Sequence, residues 1–378
     1  MTVPRRDLLF VSAGLGLDGG GRALAGRLLA ASCAAFAGER GIGFRLLSLR
    51  GLDGFSGDTR ARSFSGHQGA LALAVWRRQL ARGNSHRVAC VYDLLGPARL
   101  QAWLPAPLRA PYLLFIHGIE VWRRLCGDRR RALKNATIRL ANSDHTLQGA
   151  ARANHGLGAV EILPLCLEER PAAGEVDTSL LDRAGRGYLL IAGRMAATER
   201  YKGHDQLLDA LASLAAERSG VRLVVAGGGD DGPRLEARAA ALGLGGQVLF
   251  TGFVSEATLV ELYRRAAVFV MPSRGEGFGL VYLEAMRAGK PCVAARASAA
   301  AEVVADEETG LLVDPLDPRE LAAALGHLLA DPELARGMGQ AGRRRFEQLH
   351  TPRRFHARLW PHLDRLTESP HVRHQRHP

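Results

Sequence analysis

The chain has 378 residues, 47% of them hydrophobic and 23% charged, with a formal net charge of +12. That length exceeds what one core usually supports, so two domains of ordinary size are expected, and the balanced composition excludes a mainly disordered or fibrous chain. No uninterrupted apolar run reaches the roughly 18 to 20 residues that span a bilayer, and the opening segment leads into a strand-like run, so the chain reads as cytoplasmic.

In chain order, the apolar run 8–13 predicts a strand, and a Gly-rich loop follows over 14–21. Residues 22–38 have the spacing of a helix, and 43–49 that of the next strand. This β-loop-α-β unit continues with strands predicted at 87–92, 112–116, 137–140 and 160–163. Such alternation implies a mostly parallel sheet covered by helices on both faces. Residues 169–187 contain Pro171, scattered charge and no clear period, and are expected as a linker. Strands then follow at 188–192, 221–226, 248–251, 268–271 and 292–295, alternating with helices at 205–217, 233–242, 258–266 and 278–288. The expected organisation is therefore an N-terminal doubly wound domain over 1–168 and a second one over 188–345. Residues 346–378 are expected to return a helix to the first domain and to end in a frayed tail.

The charge is unevenly placed. Residues 1–168 hold 23 Lys and Arg against 11 Asp and Glu, whereas 169–378 hold 27 of each. The basic half includes Arg77-Arg78, Arg123-Arg124 and Arg129-Arg130-Arg131, which suits an anionic partner, or else a plain solvated basic face. Cys33, Cys90, Cys126, Cys166 and Cys292 are widely separated and form no C-x-x-C pair, so buried free thiols are expected rather than a zinc site or a disulfide framework.

Three segments carry chemistry. Gly14, Gly16 and Gly19 form G-x-G-x-x-G between a strand and a helix, a loop that lets phosphate approach the backbone at a helix N-terminus. A nicotinamide oxidoreductase would use this loop too, although Asp53, the nearest acid near the end of the second strand, falls in a loop. Ala192-Gly193-Arg194 ends one strand and Tyr201-Lys202-Gly203-His204 opens the next helix, which sets a guanidinium and an ammonium at the carboxyl edge of the second sheet. Two fixed cations there suit a departing diphosphate. Glu276-Gly-Phe-Gly-Leu-Val-Tyr-Leu-Glu284 then follows a strand, with glycines that admit a ligand and two carboxylates able to accept bonds from sugar hydroxyls.

Taken together, these segments resemble glycosyltransferase family 4, the retaining enzymes of the GT-B fold, in which two Rossmann-like domains face each other across a cleft. The resemblance rests on Gly193-Arg194, Lys202-Gly203 and the E-x7-E stretch from Glu276 to Glu284. Thr251-Gly-Phe-Val254, Met271-Pro-Ser273, Glu284-Ala-Met-Arg-Ala-Gly-Lys-Pro291 and Thr309-Gly-Leu-Leu-Val313 support it. It covers nearly all of residues 188–330 and only loosely the first half. Where the family often has Gly-Gly before a Glu, this chain has Ser298-Ala-Ala-Ala-Glu302. Near the end of the first domain it reads Leu163-Pro-Leu-Cys-Leu167, where the family often has a Gly after the proline.

The resemblance implies that a hexose moves, with retention, from a UDP- or GDP-linked sugar to a hydroxyl of a glycan or lipid-linked acceptor. Cell-envelope or exopolysaccharide synthesis is the expected setting, at most peripherally on the inner face of the cytoplasmic membrane, with no nucleic-acid partner. It places Arg194 and Lys202 on the donor diphosphate, Glu276 on the transferred sugar and Glu284 on the nucleotide ribose. Phe253 and Val254 would flank the base, and Gly277, Phe278, Gly279 and Leu280 would line the donor. Gly14, Gly16 and Gly19 would meet the phosphates, and His117 would lie beside the sugar. No cofactor is expected, and no metal, since the chain contains no D-x-D triplet. An oxidoreductase using the Gly14 to Gly19 loop and a non-catalytic module that binds anionic surfaces are the rival readings.

Overall fold

Short runs rich in Val, Leu, Ile and Phe can bury both faces at once, and such runs form both sheets of this protein. The computed structural model describes residues 5–16, 20–52, 60–81, 86–169 and 172–368. Each pairing between named strands is parallel. The chain divides into two units, residues 1–166 with 352–378, and residues 167–351.

In the first unit β1 (Arg5–Ser12), α1 (Gly20–Glu39), β2 (Gly43–Ser48), β3 (Ala61–Ser63), α2 (Gln68–Leu80) and β4 (His86–Tyr92) are followed by α3 (Leu95–Ala102) and β5 (Tyr112–Ile116). Then come α4 (Gly127–Asn135), β6 (Ile138–Ala141), α5 (Asp144–Ala153) and β7 (Glu161–Ile162). Among the described residues the sheet runs β3-β2-β1-β4-β5-β6-β7. Its order reverses between β1 and β4, where Leu8 pairs with Phe44 on one side and Ala89 on the other. Ligands of doubly wound sheets bind beyond the carboxyl ends of the strands at such a switch point.

The second unit continues with α6 (Thr178–Ala184), β8 (Leu189–Ala192), α7 (His204–Glu217), β9 (Leu223–Ala226), α8 (Gly232–Ala241), β10 (Val248–Gly252) and α9 (Glu256–Arg265). After them come β11 (Val268–Met271), α10 (Leu280–Arg287), β12 (Cys292–Ala295), α11 (Ala300–Val303), β13 (Gly310–Val313), α12 (Pro318–Ala330) and α13 (Pro332–Leu349). The sheet order is β10-β9-β8-β11-β12-β13, with its switch point between β8 and β11. β8, β9, β11 and β12 are buried along their whole length, as strands covered by helices on both faces must be.

Two boundaries differ from the sequence expectation. Within 169–187, α6 is no linker. Asp177 caps it by accepting from the Leu180 N–H at 2.9 Å, and its own N–H donates to Thr258 Oγ1 at 2.9 Å, so the helix is fastened to α9 of the second unit. Leu180, Leu181 and Ala184 are buried. The second unit also runs through α13, and the helix that belongs to the first unit is α14 (Pro352–Glu368). Phe355, Leu359, Leu363 and Leu366 of α14 form a buried stripe at helical spacing. Beside it the Trp360 ring meets Phe36 of α1 at 5.9 Å, and Arg40 holds Asp364 at 3.0 Å. The tail expected to fray, residues 369–378, lies outside the described residues.

Candidate functional site

The switch point of the second sheet is built by three loops. After β8 the chain runs through Gly193, Arg194 and Met195, pinned by Gly193 N to Ala226 O (2.9 Å) and Met195 N to Gly228 O (3.0 Å). This approach depends on Gly227, which has φ +133° and whose absent Cβ would stand 2.1 Å from the Gly193 carbonyl oxygen. Residues 197–202 then form a 3-10 turn. Asp230 accepts from Ala197 N at 2.9 Å, and Asp231 holds Arg200 at 2.8 Å and Arg234 at 2.6 Å. Those two guanidiniums, Arg234 foremost, hold the Asp231 carboxyl down at about 2.

Gly203 closes the turn in the left-handed region, φ +88°, and a Cβ there would stand 2.7 Å from the Pro272 carbonyl oxygen. The same two loops are laced by Arg274 N donating to Tyr201 O at 2.9 Å. Lys202 and the Glu276 loop are thereby fixed against each other. Lys202 is 14% exposed and Arg194 43%, and both meet a residue that motif reading passed over. Glu199 Oε1 lies 2.6 Å from Arg194 Nη2, and Oε2 lies 2.9 Å from Lys202 Nζ.

Glu276 accepts weakly from Ser273 Oγ at 3.4 Å. Burial pushes its carboxyl up, the Lys202 ammonium draws it back, and Glu199 pushes it up again. Glu284, on α10, accepts from Tyr263 Oη of α9 at 2.8 Å, and burial raises its carboxyl as well. Gly279 starts α10 at φ +93°. Phe278 and Leu280 are buried, and the Phe278 ring packs on His350 at 5.9 Å, which leaves the main chain of 277–279 as the part able to meet a ligand. Phe253 is 78% exposed just beyond β10, with its ring over Gly228, and Val254 beside it is partly buried. Arg194, Lys202 and Glu276 thus come together, and Phe253 stands just beyond β10, two strands from β8.

At the switch point of the first sheet, Ser12 Oγ donates to Asp93 Oδ2 at 2.5 Å and accepts from Gly14 N at 3.0 Å. The buried Arg27 of α1 donates to the carbonyls of Leu15 and Gly16 at 3.2 Å each, so the Gly loop is held from below by a guanidinium. Gly19 and Asp53 lie outside the described residues. Burial lifts the Asp93 carboxyl to about 7, against the pull of the Ser12 hydroxyl.

His117 follows β5 and is buried, with Nε2 2.7 Å from the Asp93 carbonyl oxygen and its backbone N donating to Glu120 Oε1 at 2.6 Å. A carbonyl only accepts, so Nε2 carries the proton. Burial also lowers the imidazole pKa, leaving the ring neutral at pH 7 with Nδ1 as its acceptor.

Sequence reasoning missed Ser12, Asp93, Glu199, Tyr263 and the run Gly227 to Gly229. Two of these had a signal: Asp93 directly follows an apolar strand, and three successive glycines follow β9. Among the described residues no group of three or more His, Cys, Asp or Glu could hold a metal ion. Nor is any helix there long and apolar enough to cross a membrane.

A family model for glycosyl transferases group 1 matches residues 182–345. The GDP-mannose-dependent alpha-(1-6)-phosphatidylinositol monomannoside mannosyltransferase of Mycolicibacterium smegmatis is 35% identical over 240 residues, which are 60% of this chain and 63% of that protein. The chain spans less than two thirds of the length of the curated relatives it matches. Among solved structures, sucrose-phosphate synthase from Thermosynechococcus elongatus superposes with a TM-score of 0.74 at 21% identity, over 96% of this chain and 99% of that one. Anabaena HepE in complex with UDP and glucose gives 0.75 at 18% identity, over 95% and 99%. Residues 182–345 are thus similar to the glycosyl transferases group 1 family, and the two parallel-sheet units have the fold of the GT-B glycosyltransferases.

Proposed function

We propose that the protein is a retaining glycosyltransferase that moves a hexose from a UDP- or GDP-linked sugar to a hydroxyl of a glycan or lipid-linked acceptor in cell-envelope or exopolysaccharide synthesis. The observation that carries this reading is the grouping of Arg194, Lys202 and Glu276 at the switch point of the second sheet. Two cations at that edge neutralise a departing diphosphate, and a carboxylate beside them orients sugar hydroxyls. The M. smegmatis relative is named for GDP-mannose and HepE was solved with UDP, which supports a nucleoside diphosphate donor of either base. Neither the dinucleotide reading nor the charge-only reading accounts for that grouping.

In this reading the anomeric centre passes through an oxocarbenium-like state while the diphosphate leaves. Arg194 and Lys202 take up the growing charge, and the leaving phosphate accepts the proton of the attacking hydroxyl, so no enzymatic nucleophile is needed. Glu284, held by Tyr263, receives the ribose, and Phe253 and Val254 flank the base. The Gly14 to Gly16 loop and neutral His117 belong to the same reaction, at the phosphates and the sugar. The absence of a D-x-D triplet supports metal independence. The exposed Arg129, Arg130, Arg131 and Lys134 of α4, with Arg77 and Arg78 of α2, suit an anionic membrane surface, where each cation contributes about 1 kcal/mol.

A thermal-shift screen against UDP, GDP, ADP and NAD tests the donor class. Lys202→Ala and Glu276→Ala are expected to abolish sugar transfer while leaving the circular dichroism spectrum intact. Stabilisation by NAD alone, or unchanged transfer in both variants, refutes the reading. Transfer is expected to survive EDTA, and flotation is expected with anionic but not with neutral liposomes.

A further inference from the structure

One carboxylate stands between the two cations assigned to the diphosphate. Glu199 gives one oxygen to Arg194 (2.6 Å) and the other to Lys202 (2.9 Å), much as two oxygens of a phosphoanion would meet them. Glu276 shares the field of Lys202. With both carboxylates ionised, Arg194, Lys202, Glu199 and Glu276 sum to no net charge. A diphosphate entering this group meets cations already neutralised unless Glu199 gives way.

The local backbone allows that exchange. Residues 197–202 are anchored by Asp230 at Ala197, by Asp231 through Arg200, and by Gly203 packed on Pro272. Glu199 sits at a kink between these anchors, φ −119° and ψ 26°. None of these anchors runs through the Glu199 side chain, whose partners among the described residues are Arg194 and Lys202. Arg194 is half exposed while Lys202 and Glu199 are mostly buried, and a phosphoanion offers more charge to the same two donors than the carboxylate does.

We propose that Glu199 is a resident counter-ion of the donor site: it neutralises Arg194 and Lys202 when no donor is bound, yields them to the donor diphosphate, and reclaims them as the nucleoside diphosphate leaves. This rests on the donor-site reading above. Its cost is affinity for donor and product alike, and its benefit is turnover, because uniformly tight binding does not raise the rate of the chemical step.

The test is calorimetric titration of the full chain with UDP and with GDP, alongside steady-state transfer. Glu199→Gln removes the charge and is expected to bind the nucleoside diphosphate about tenfold more tightly. KM and kcat are expected to fall together, with deeper product inhibition. Glu199→Asp keeps the charge and is expected to stay within about twofold of the wild-type affinity. Lys202→Ala is expected to lose binding in the same assay. If Glu199→Gln binds as the wild type does, or more weakly, while Lys202→Ala loses binding, the counter-ion proposal fails and the donor site stands. If the wild type binds neither nucleoside diphosphate, the donor-site reading itself fails and takes the proposal with it.

Discussion

His204, the first residue of α7, provides a pH test of the second unit. It is 7% exposed, lies among Ile191, Leu207, Leu223, Val225, Leu235 and Phe250, and its Nε2 has no hydrogen-bond partner among the described residues. Burial, reinforced by the Lys202 ammonium, lowers its pKa from 6.5 to about 4. The unfolded chain therefore takes up a proton near pH 6.5 that the folded protein refuses until about pH 4. The stability tied to neutral His204 is complete above pH 6.5 and is lost as pH falls through 4. Over that window the loss is about 3 kcal/mol.

Urea unfolding at intervals from pH 7.5 to 4, for the wild type and His204→Leu, measures this loss. Trp76, Trp103, Trp122 and Trp360 all belong to the first unit, so tryptophan fluorescence follows that unit while circular dichroism follows both. Groups with raised carboxyls, such as Glu276, Glu284 and Asp93, titrate in both proteins and cancel in the difference. The variant is expected to gain on the wild type by about 3 kcal/mol in the circular dichroism transition as the solution is acidified. Parallel profiles would refute the assignment of a buried neutral imidazole.

Two further predictions concern the donor loops. Tyr263→Phe removes the hydroxyl that donates to Glu284 at 2.8 Å. It is expected to cost about 1.5 to 3 kcal/mol in urea unfolding and to weaken nucleoside diphosphate binding in calorimetry. Gly227→Ala places a Cβ 2.1 Å from the Gly193 carbonyl at φ +133° and is expected to lower stability by at least about 1 to 3 kcal/mol, with loss of nucleotide affinity as Arg194 is displaced. Gly21→Ala, in α1 with nothing within 4 Å of the added carbon, is expected to stabilise slightly in urea unfolding.

The sheets were legible because buried parallel strands must be apolar on both faces, and runs such as 268–271 and 292–295 coincide with β11 and β12. Among the elements that were not are β3 and α6. β3 has three residues, too few for any period to repeat. α6 has seven, and its capping Asp177 and its contacts with α9 read in the sequence only as scattered charge near a proline.

Arg194, Lys202 and Glu276 were legible because the ends of β8 and β11 carry them to the sheet edge together. Glu199 was not, since its reach to two cations depends on a kinked turn that follows no helical or strand period. Tyr263 was hidden for a different reason: its phenol completes Glu284 from a separate helix. Nor does sequence spacing alone reveal that the Nε2 of His117 is already engaged by the Asp93 carbonyl.

The return of α14 to the first unit has a consequence for synthesis. A ribosome makes the N-terminal unit's strands first, but the helix whose Phe355, Leu359, Leu363 and Leu366 are buried in that unit comes last, after all of residues 167–351. Until then the flank of α1 around Phe36 lacks its cover of Trp360. The nascent first unit must wait, apolar surface exposed, while the second is translated, which makes that interval the point of greatest exposure to aggregation and to chaperones. A stop codon just before Pro352 would therefore leave the second unit whole and strip the first of its last helix.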